Sequence, residues 1–434
     1  MAFALIGGTV IDGTGADPKP ETTIVVEDGK IVEITEKTSF GGDVQIYDVS
    51  GKTIIPGIVD THMHFASWFQ WIITQQHSFL SYLMCKTVMD LRRTLETGVT
   101  TARDLGGLER GFVDAQAHGM IPGPRLQTGC VIIQPTNGLT DLMPGVGGTI
   151  TPQGLTSFLP GLPSPWADGP YAVRGKVREA LRYGAQAIKL ANSAVTWSSP
   201  VLDPDRPLFT QEEMDAAVDE AHRAGVRVCC HTVTVKNAEG TRMAISAGAD
   251  LIDHGVYLDD ECIQEMVKRK TWFCPMFAIM DFHRSRNPDP TVNPIAEECF
   301  EITADSFRRA IKAGVRVAMG TDGGLETGWQ AHEMAWMVEN GMEPIQSLTA
   351  STLHAAQALG LDDLVGSLEV GKEADLVVVE KDPLKDFRIL GDTKNLALVM
   401  QGGKAVSGEM AQQFPYVAPD QMTFFPPRPA KRSW

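Results

Sequence analysis

His62 and His64 stand one residue apart at the end of an apolar run, Ile58-Val59-Asp60-Thr61-His62-Met63-His64-Phe65. On an extended strand, residues i and i+2 point to the same face. The two imidazoles can therefore grip one metal ion from one side. A metal centre needs further donors, and four other apolar runs supply them. Ala187-Ile188-Lys189-Leu190 carries a lysine, and Val228-Cys229-Cys230-His231 ends in a histidine. Leu251-Ile252-Asp253-His254 ends in another, and Val317-Ala318-Met319-Gly320-Thr321-Asp322 ends in an aspartate. Singly, each has a structural reading: a rim histidine, a turn aspartate, a lysine that snorkels. Jointly, four of the ten histidines and one aspartate close separate strand-like runs.

Four neutral imidazoles and one carboxylate suit zinc or a similar divalent ion. Five ligands exceed what one catalytic ion with an open position takes. They match two divalent metal ions acting as a clamp in hydrolysis. Two close cations need a bridging anion. The Lys189 ammonium has donors and no acceptor, but its CO2-derived carbamate would offer two oxygens.

These residues need a scaffold that brings strand ends together. Eight strand candidates, 56–64, 99–105, 125–133, 186–192, 226–233, 250–256, 271–277 and 315–322, alternate with helical patterns. Such alternation marks βα units and a parallel sheet. Ala224-Gly225-Val226-Arg227-Val228 recurs as Ala313-Gly314-Val315-Arg316-Val317, with related turns at Gly98 and Gly248. Each glycine fits the left-handed position that ends a helix. Thr210 with Glu213 reads as a capping box opening a helix over 210–224, and a second helix is expected over 259–270. The expectation is an α/β chain with a (β/α)8 TIM barrel over 56–365, whose active residues gather at the C-terminal strand ends. A doubly wound sheet is the alternative, but no G-x-G-x-x-G follows an early strand.

Short β-like runs fill residues 1–55, with Glu27-Asp28-Gly29 as a hairpin signal, and return at 374–379 and 396–400. The two ends, 1–55 and 366–434, are expected to pair into a small β-sandwich, with a Pro-rich tail over 411–434. Of 434 residues, 43% are hydrophobic and 21% charged, and the net charge is −16. Acidity without a basic run argues against nucleic-acid binding. No apolar run approaches a membrane span, and the first residues lack a basic region of the signal-peptide kind. Seven cysteines without a C-x-x-C pair argue against a disulfide framework. A cytoplasmic homo-oligomer acting on a small molecule, with no nucleic-acid or membrane partner, is expected.

The ordered set of motifs resembles the metal-dependent amidohydrolase superfamily. It resembles most the imidazolonepropionase-like branch that includes prolidase-type dipeptidases and ochratoxin amidases. The matching runs are 55–64, 98–104 (Gly-Val-Thr-Thr-Ala-Arg-Asp), 121–125, Lys189, Cys230-His231, Asp253-His254-Gly255, Gly320-Thr321-Asp322 and 366–376. The resemblance implies that His62, His64 and Asp322 hold one metal, His231 and His254 the other, with carboxylated Lys189 between. A water shared by two metals loses its proton near neutral pH. Asp322 would take that proton and deliver it to the leaving nitrogen of an amide, carbamate or urea.

Two departures bear on the substrate. Related dipeptidases carry Gly-Gly-His after the third strand, where this chain has Gln134-Pro135-Thr136-Asn137-Gly138. They often carry a tyrosine after the fifth strand, where it has His231-Thr232-Val233. Asn137 is the expected neutral donor to the scissile carbonyl. The aromatic loop Phe65, Trp68, Phe69 and Trp71, with Trp197, is a candidate apolar lining. His283, in a loop after the seventh strand, is a further candidate contact, and the segment 134–170 a candidate lid or partner surface. An apolar, aromatic or N-acyl substrate fits better than a charged dipeptide. An Xaa-Pro-type dipeptidase and an ochratoxin-type amidase remain alternatives, with Arg242, Arg284 or another rim residue available to a substrate carboxylate. Hydrolysis of a lactone or carbamate ester and a non-enzymatic binding scaffold are further alternatives. A serine hydrolase finds no G-x-S-x-G elbow.

Overall fold

The computed structural model describes residues 2–42, 44–66, 79–139, 162–195, 203–287, 291–324 and 328–414. The chain ends meet in one eight-stranded sheet. Its centre is the antiparallel pairing of Thr53–Pro56 with Leu376–Val379, in register from Leu376 opposite Pro56 to Val379 opposite Thr53. Ala2–Val10, Lys19–Glu27 and Lys30–Thr35 extend it on one side, Leu396–Gln401 and Lys404–Ser407 on the other. The period-two alternation of strands sorts their side chains. Ile54, Leu376, Val378, Leu398 and Met400 enter a core shared with Leu5, Ile24 and Ile31. Ile55, Val377, Val379 and Val399 enter the larger core of the central region.

The run 366–376 locks this arrangement. Gly371 N donates to Ile31 O at 2.8 Å, and Ala374 N to Gly29 O at 2.8 Å. Gly366 has φ +94°, and a Cβ there would meet Ala356 Cβ at 2.6 Å, so no other residue fits. Asp375 accepts from Arg125 Nη1 at 2.7 Å and from Gly402 N at 2.7 Å, tying the sheet to the central region.

The central region is mixed α/β with parallel sheets. Ile58–Met63, Val99–Asp104 and Arg125–Thr128 form one. Ile132–Ile133, Ala187–Ala191, Arg227–Thr232, Leu251–His254, Trp272–Cys274 and Arg316–Val317 form the other, hydrogen-bonded in that order. Main-chain bonds join the sheets at both edges. Gln186 N donates to Thr128 O at 2.7 Å on one side, and Thr61 N to Met319 O at 3.0 Å on the other. The intervening helices obey the local signals. Gln211–Arg223 opens on the Thr210/Glu213 capping box and buries Met214, Ala217, Val218 and Ala221 at helical spacing. Asp260–Arg269 is capped by the Asp259 side chain on Cys262 N. Gly225 and Gly314 take φ +72° and +87° where helix turns into strand, as the repeat requires.

Three expected elements differ. The 125–133 strand breaks in two where Cys130 takes φ +59°. Only Arg316–Val317 of 315–322 is a strand; the rest runs on as irregular chain to Asp322 at φ +56°. The seventh strand stops at Cys274, and His283 lies on the helix Phe277–Arg286 rather than in a loop.

Glu333 explains the last difference. Its buried carboxylate accepts the Ala278 N–H at 2.6 Å at the start of that helix, satisfying a donor that the helix leaves unpaired. Burial, opposed by these backbone donors, raises its pKa from 4.5 to about 8. The folded chain thus holds a proton that the unfolded chain releases, and this contribution to stability fades as pH rises from about 4.5 through 8. Glu333→Gln, a neutral isostere, is expected to gain on the native chain across that window. Denaturation midpoints at acidic and mildly alkaline pH check this; a constant difference between the two chains would refute it.

Candidate active site

The strand Ile58–Met63 delivers His62 and His64, and the chain after Arg316–Val317 delivers Asp322 to the same place. Two main-chain bonds fix that seam: Asp322 N donates to His62 O at 2.8 Å, and His64 N to Gly323 O at 2.7 Å. Gly320 permits it, since a Cβ there would sit 2.7 Å from Cys274 Sγ and 2.9 Å from His62 Cβ. His62 Nε2 and His64 Nε2 then lie 3.4 and 3.2 Å from Asp322 Oδ1, and 3.2 Å from each other. These three residues form a group of the kind that holds a metal ion.

The second pair stands beside the first. His254 Nε2 is 3.9 Å from Asp322 Oδ2. The His231 and His254 rings are 4.5 Å apart between centroids, and His62 is 5.7 Å from His254 on the same measure. His231 stands opposite Asp253 in the parallel register of Arg227–Thr232 and Leu251–His254. Lys189, 1% exposed, donates to the buried Asp253 carboxylate. The structure thus brings Lys189, the four histidines and Asp322 into one cluster.

The donor set fits divalent cations. Burial drives the His62 and His254 pKa values down to about 4 and about 3, and holds His231 well below the ordinary range. All three are neutral at physiological pH and carry a lone pair. His231 Nε2 and His254 Nδ1 are buried without a hydrogen-bond partner, a cost that a metal bond would relieve. At His64, burial opposes a positive charge, but the hydrogen bond and charge of Asp322 outweigh it and raise the pKa. The place itself favours a cation. His64 Nδ1 lies 3.1 Å from the Gly106 carbonyl, which directs Nε2 into the cluster as an acceptor. Burial pushes the Asp322 pKa up, yet the surrounding histidines hold it well below the usual carboxylate range.

Several supporting residues carry no obvious signal in the sequence. Asp60 accepts from His62 N at 3.0 Å and from the Thr321 hydroxyl at 2.7 Å, clamping both sides of the seam. Asp104 accepts from Phe65 N, Gly106 N and Leu108 N at 2.7, 2.9 and 3.1 Å, shaping the loops around His64. Arg103, 1% exposed, donates from Nε to Thr61 O at 3.0 Å. Asp60 could have been found as the i−2 neighbour of His62 on one strand face; the others have only their place in the G-V-T-T-A-R-D run.

The expected substrate contacts fare differently. Trp68, Phe69, Trp71 and Trp197 lie outside the described residues, as does 140–161 of the expected lid. Phe65 is buried, 4% exposed, and packs in the core. Asn137 is exposed and takes φ +60°. His283 Nδ1 is 2.8 Å from Asn287 Nδ2. Its pKa is lowered by burial, against the pull of the Asp322 charge. Arg242 and Arg284, the expected candidates for a substrate carboxylate, both have acidic partners. Arg242 is bonded to Asp259, with Glu261 at 3.9 Å. Arg284 is bonded to Asp281 at 3.0 Å and Glu297 at 3.2 Å and lies over the Phe300 ring.

Comparison with known proteins agrees with this geometry. The amidohydrolase family model matches residues 53–406. The ochratoxinase of Aspergillus niger is 29% identical over 369 residues, covering 82% of this chain and 76% of that protein. Among solved structures, a Xaa-Pro dipeptidase with bound methionine superposes with a TM-score of 0.80 at 28% identity, over 93% of this chain and 99% of the other. A prolidase complexed with N-methylphosphonate-L-proline gives 0.85 at 25% identity, over 94% and 100%. The match spans the central region and both of its junctions with the terminal sheet, and the chain belongs to the amidohydrolase family, as a hydrolase of carbon–nitrogen bonds.

Proposed function

We propose that this chain is a binuclear metal-dependent amidohydrolase cleaving an apolar amide, carbamate or urea. Its centre would be a (β/α)8 barrel over 56–365, carried by a β-domain built from both chain ends, 1–55 and 366–434. The observation that supports this most is the sharing of Asp322. One carboxylate oxygen faces His62 and His64, and the other faces His254, with His231 beyond. His62, His64 and Asp322 would hold one ion and His231 and His254 the other, with Lys189 as carbamate between them. Divalent ions of the zinc kind supply Lewis acidity, which acidifies water and polarises a carbonyl.

The chain's own residues do the rest. The neutral histidines bring no positive charge of their own into the buried site. Asp322 keeps a carboxylate at the junction of the two pairs, where it can accept a proton and pass it to the leaving nitrogen. The engagement of Arg242 and Arg284 by neighbouring carboxylates favours a substrate without a carboxylate of its own. The 29% identity to an ochratoxinase supports an amide. A second reading, a dipeptidase of the Xaa-Pro type, is favoured by the two structural neighbours of that activity.

Three outcomes are expected. Asp322→Asn should retain metal, measured by elemental analysis, and lose roughly a thousandfold in kcat; full activity would refute the proton-transfer role. Lys189→Ala should bind fewer ions per chain and recover metal and turnover with short carboxylic acids; unchanged metal content would refute the bridge. A panel of N-acyl amino acids, dipeptides, anilides, carbamates and phenylureas should show turnover of apolar amides by zinc-loaded protein. Turnover of dipeptides alone would reverse the two readings.

A further inference from the structure

Asp253 lies at the centre of the cluster without being placed as a ligand. It is fully buried, and its two oxygens face two different members of the set. Oδ2 accepts from Lys189 Nζ. Oδ1 stands 3.2 Å from His62 Nδ1. That contact is not aligned as a hydrogen bond, yet neither atom has another partner. We infer that Asp253 is a positioning residue that fixes the tautomer of His62 and the orientation of Lys189 together, and so couples the two metal subsites. The inference rests on the two-metal reading above.

His62 Nε2 faces His64 Nε2 and Asp322 Oδ1, at 3.2 and 3.4 Å. To bind a cation there it must carry a lone pair, so its proton must sit on Nδ1. A buried Nδ1–H needs an acceptor, and among the described residues Asp253 Oδ1 is the one within reach. His64 solves the same problem differently, with the Gly106 carbonyl on its Nδ1. His62 is thus tied to a side chain, and that side chain also holds Lys189.

The tie to Lys189 survives modification. In its amine form Nζ bonds to the carbon of CO2, an electron pair of one C–O bond passes to oxygen, and one proton leaves to solvent. One N–H remains, and Asp253 Oδ2 can accept it as it accepts the ammonium. Held there, Nζ carries the new carboxylate away from Asp253. One anion therefore serves both states of the lysine and the working tautomer of His62.

Asp253→Asn separates this role from simple packing. The amide keeps the shape but has one acceptor and one NH2 donor, so it can serve only one partner. With its oxygen on Lys189, its NH2 faces His62 Nδ1 and shifts the imidazole proton to Nε2, where it blocks the ligand. With its oxygen on His62, its NH2 faces the Nζ donor. Zinc-loaded native and variant protein should be compared by circular dichroism, elemental analysis, native mass spectrometry and 15N-histidine NMR. The expected result is a folded variant with less than the native metal content and less CO2 adduct. Affinity for the ion that remains should fall about 10- to 100-fold. In the native protein, NMR should show His62 protonated on Nδ1. A folded variant with native metal content, affinity and adduct would overturn the inference. So would a native His62 protonated on Nε2, which decides the matter even if the variant does not fold. Native protein with neither a second ion nor an adduct would instead overturn the two-metal reading.

Discussion

The site depends on the seam between the strand Ile58–Met63 and the chain from Met319 to Gly323. Main-chain bonds alternate across it, from Thr61 N to Met319 O, Asp322 N to His62 O, and His64 N to Gly323 O. They set the Asp322 carboxylate against two imidazoles from the other end of the central region. The seam is close because Gly320 has no side chain, and it turns because Asp322 takes a left-handed φ of +56°. Such a backbone is unfavourable for an aspartate and persists only where the surroundings over-determine it. Asp60, bonded to His62 N, Thr321 N and the Thr321 hydroxyl, is part of that surrounding. His254 shares the feature at φ +65°, so two members of the cluster sit on strained backbone.

Burial sets the charge state of everything near the seam. It makes three histidines neutral and pushes isolated acids upward: Asp60 to about 7 and Glu333 to about 8. Asp322 and Asp253 resist the same burial because histidines or Lys189 face them, and both stay well below the usual carboxylate range. The low-dielectric interior therefore divides the carboxyl groups by their neighbours. Those beside the cluster are held low as anions able to face cations, while burial raises those behind it.

Much of this was legible in the sequence, for identifiable reasons. Strand ends in a parallel α/β chain gather at one edge, so His62, His64, His231, His254 and Asp322 could be grouped before any coordinates. Thr210 with Glu213 and the paired Ala-Gly-Val-Arg-Val turns encode caps through local chemistry alone, and both form as read. What was not legible depends on tertiary contact. Nothing local at 275–283 announces a helix that starts three residues after a strand, because its cap is Glu333, more than fifty residues away. Nothing in Arg242 or Arg284 reveals that Asp259, Asp281 and Glu297 pair with them. Asp253 reads as a spacer before His254, since its partners lie on two other strands.

The division between what strands and loops contribute explains why the family is plain and the substrate is not. Every residue of the cluster is carried by a strand or by the main-chain seam, where the register leaves little freedom. The run 366–376 is equally constrained, since Gly371, Ala374 and Asp375 each meet a specified partner in the sheet and Gly366 packs against Ala356 of a helix. Residues that would choose a substrate sit beyond the strand ends, where such constraints stop. Asn137 illustrates the point. The chain beside it is pinned, with Thr136 bonded to Asp168 through both N–H and hydroxyl, and Gln134 bridged to Trp166. Asn137 itself is exposed. A loop anchored this firmly can change its outer residues without disturbing the parallel strands beneath it, so the cluster can stay fixed while the residues around it vary.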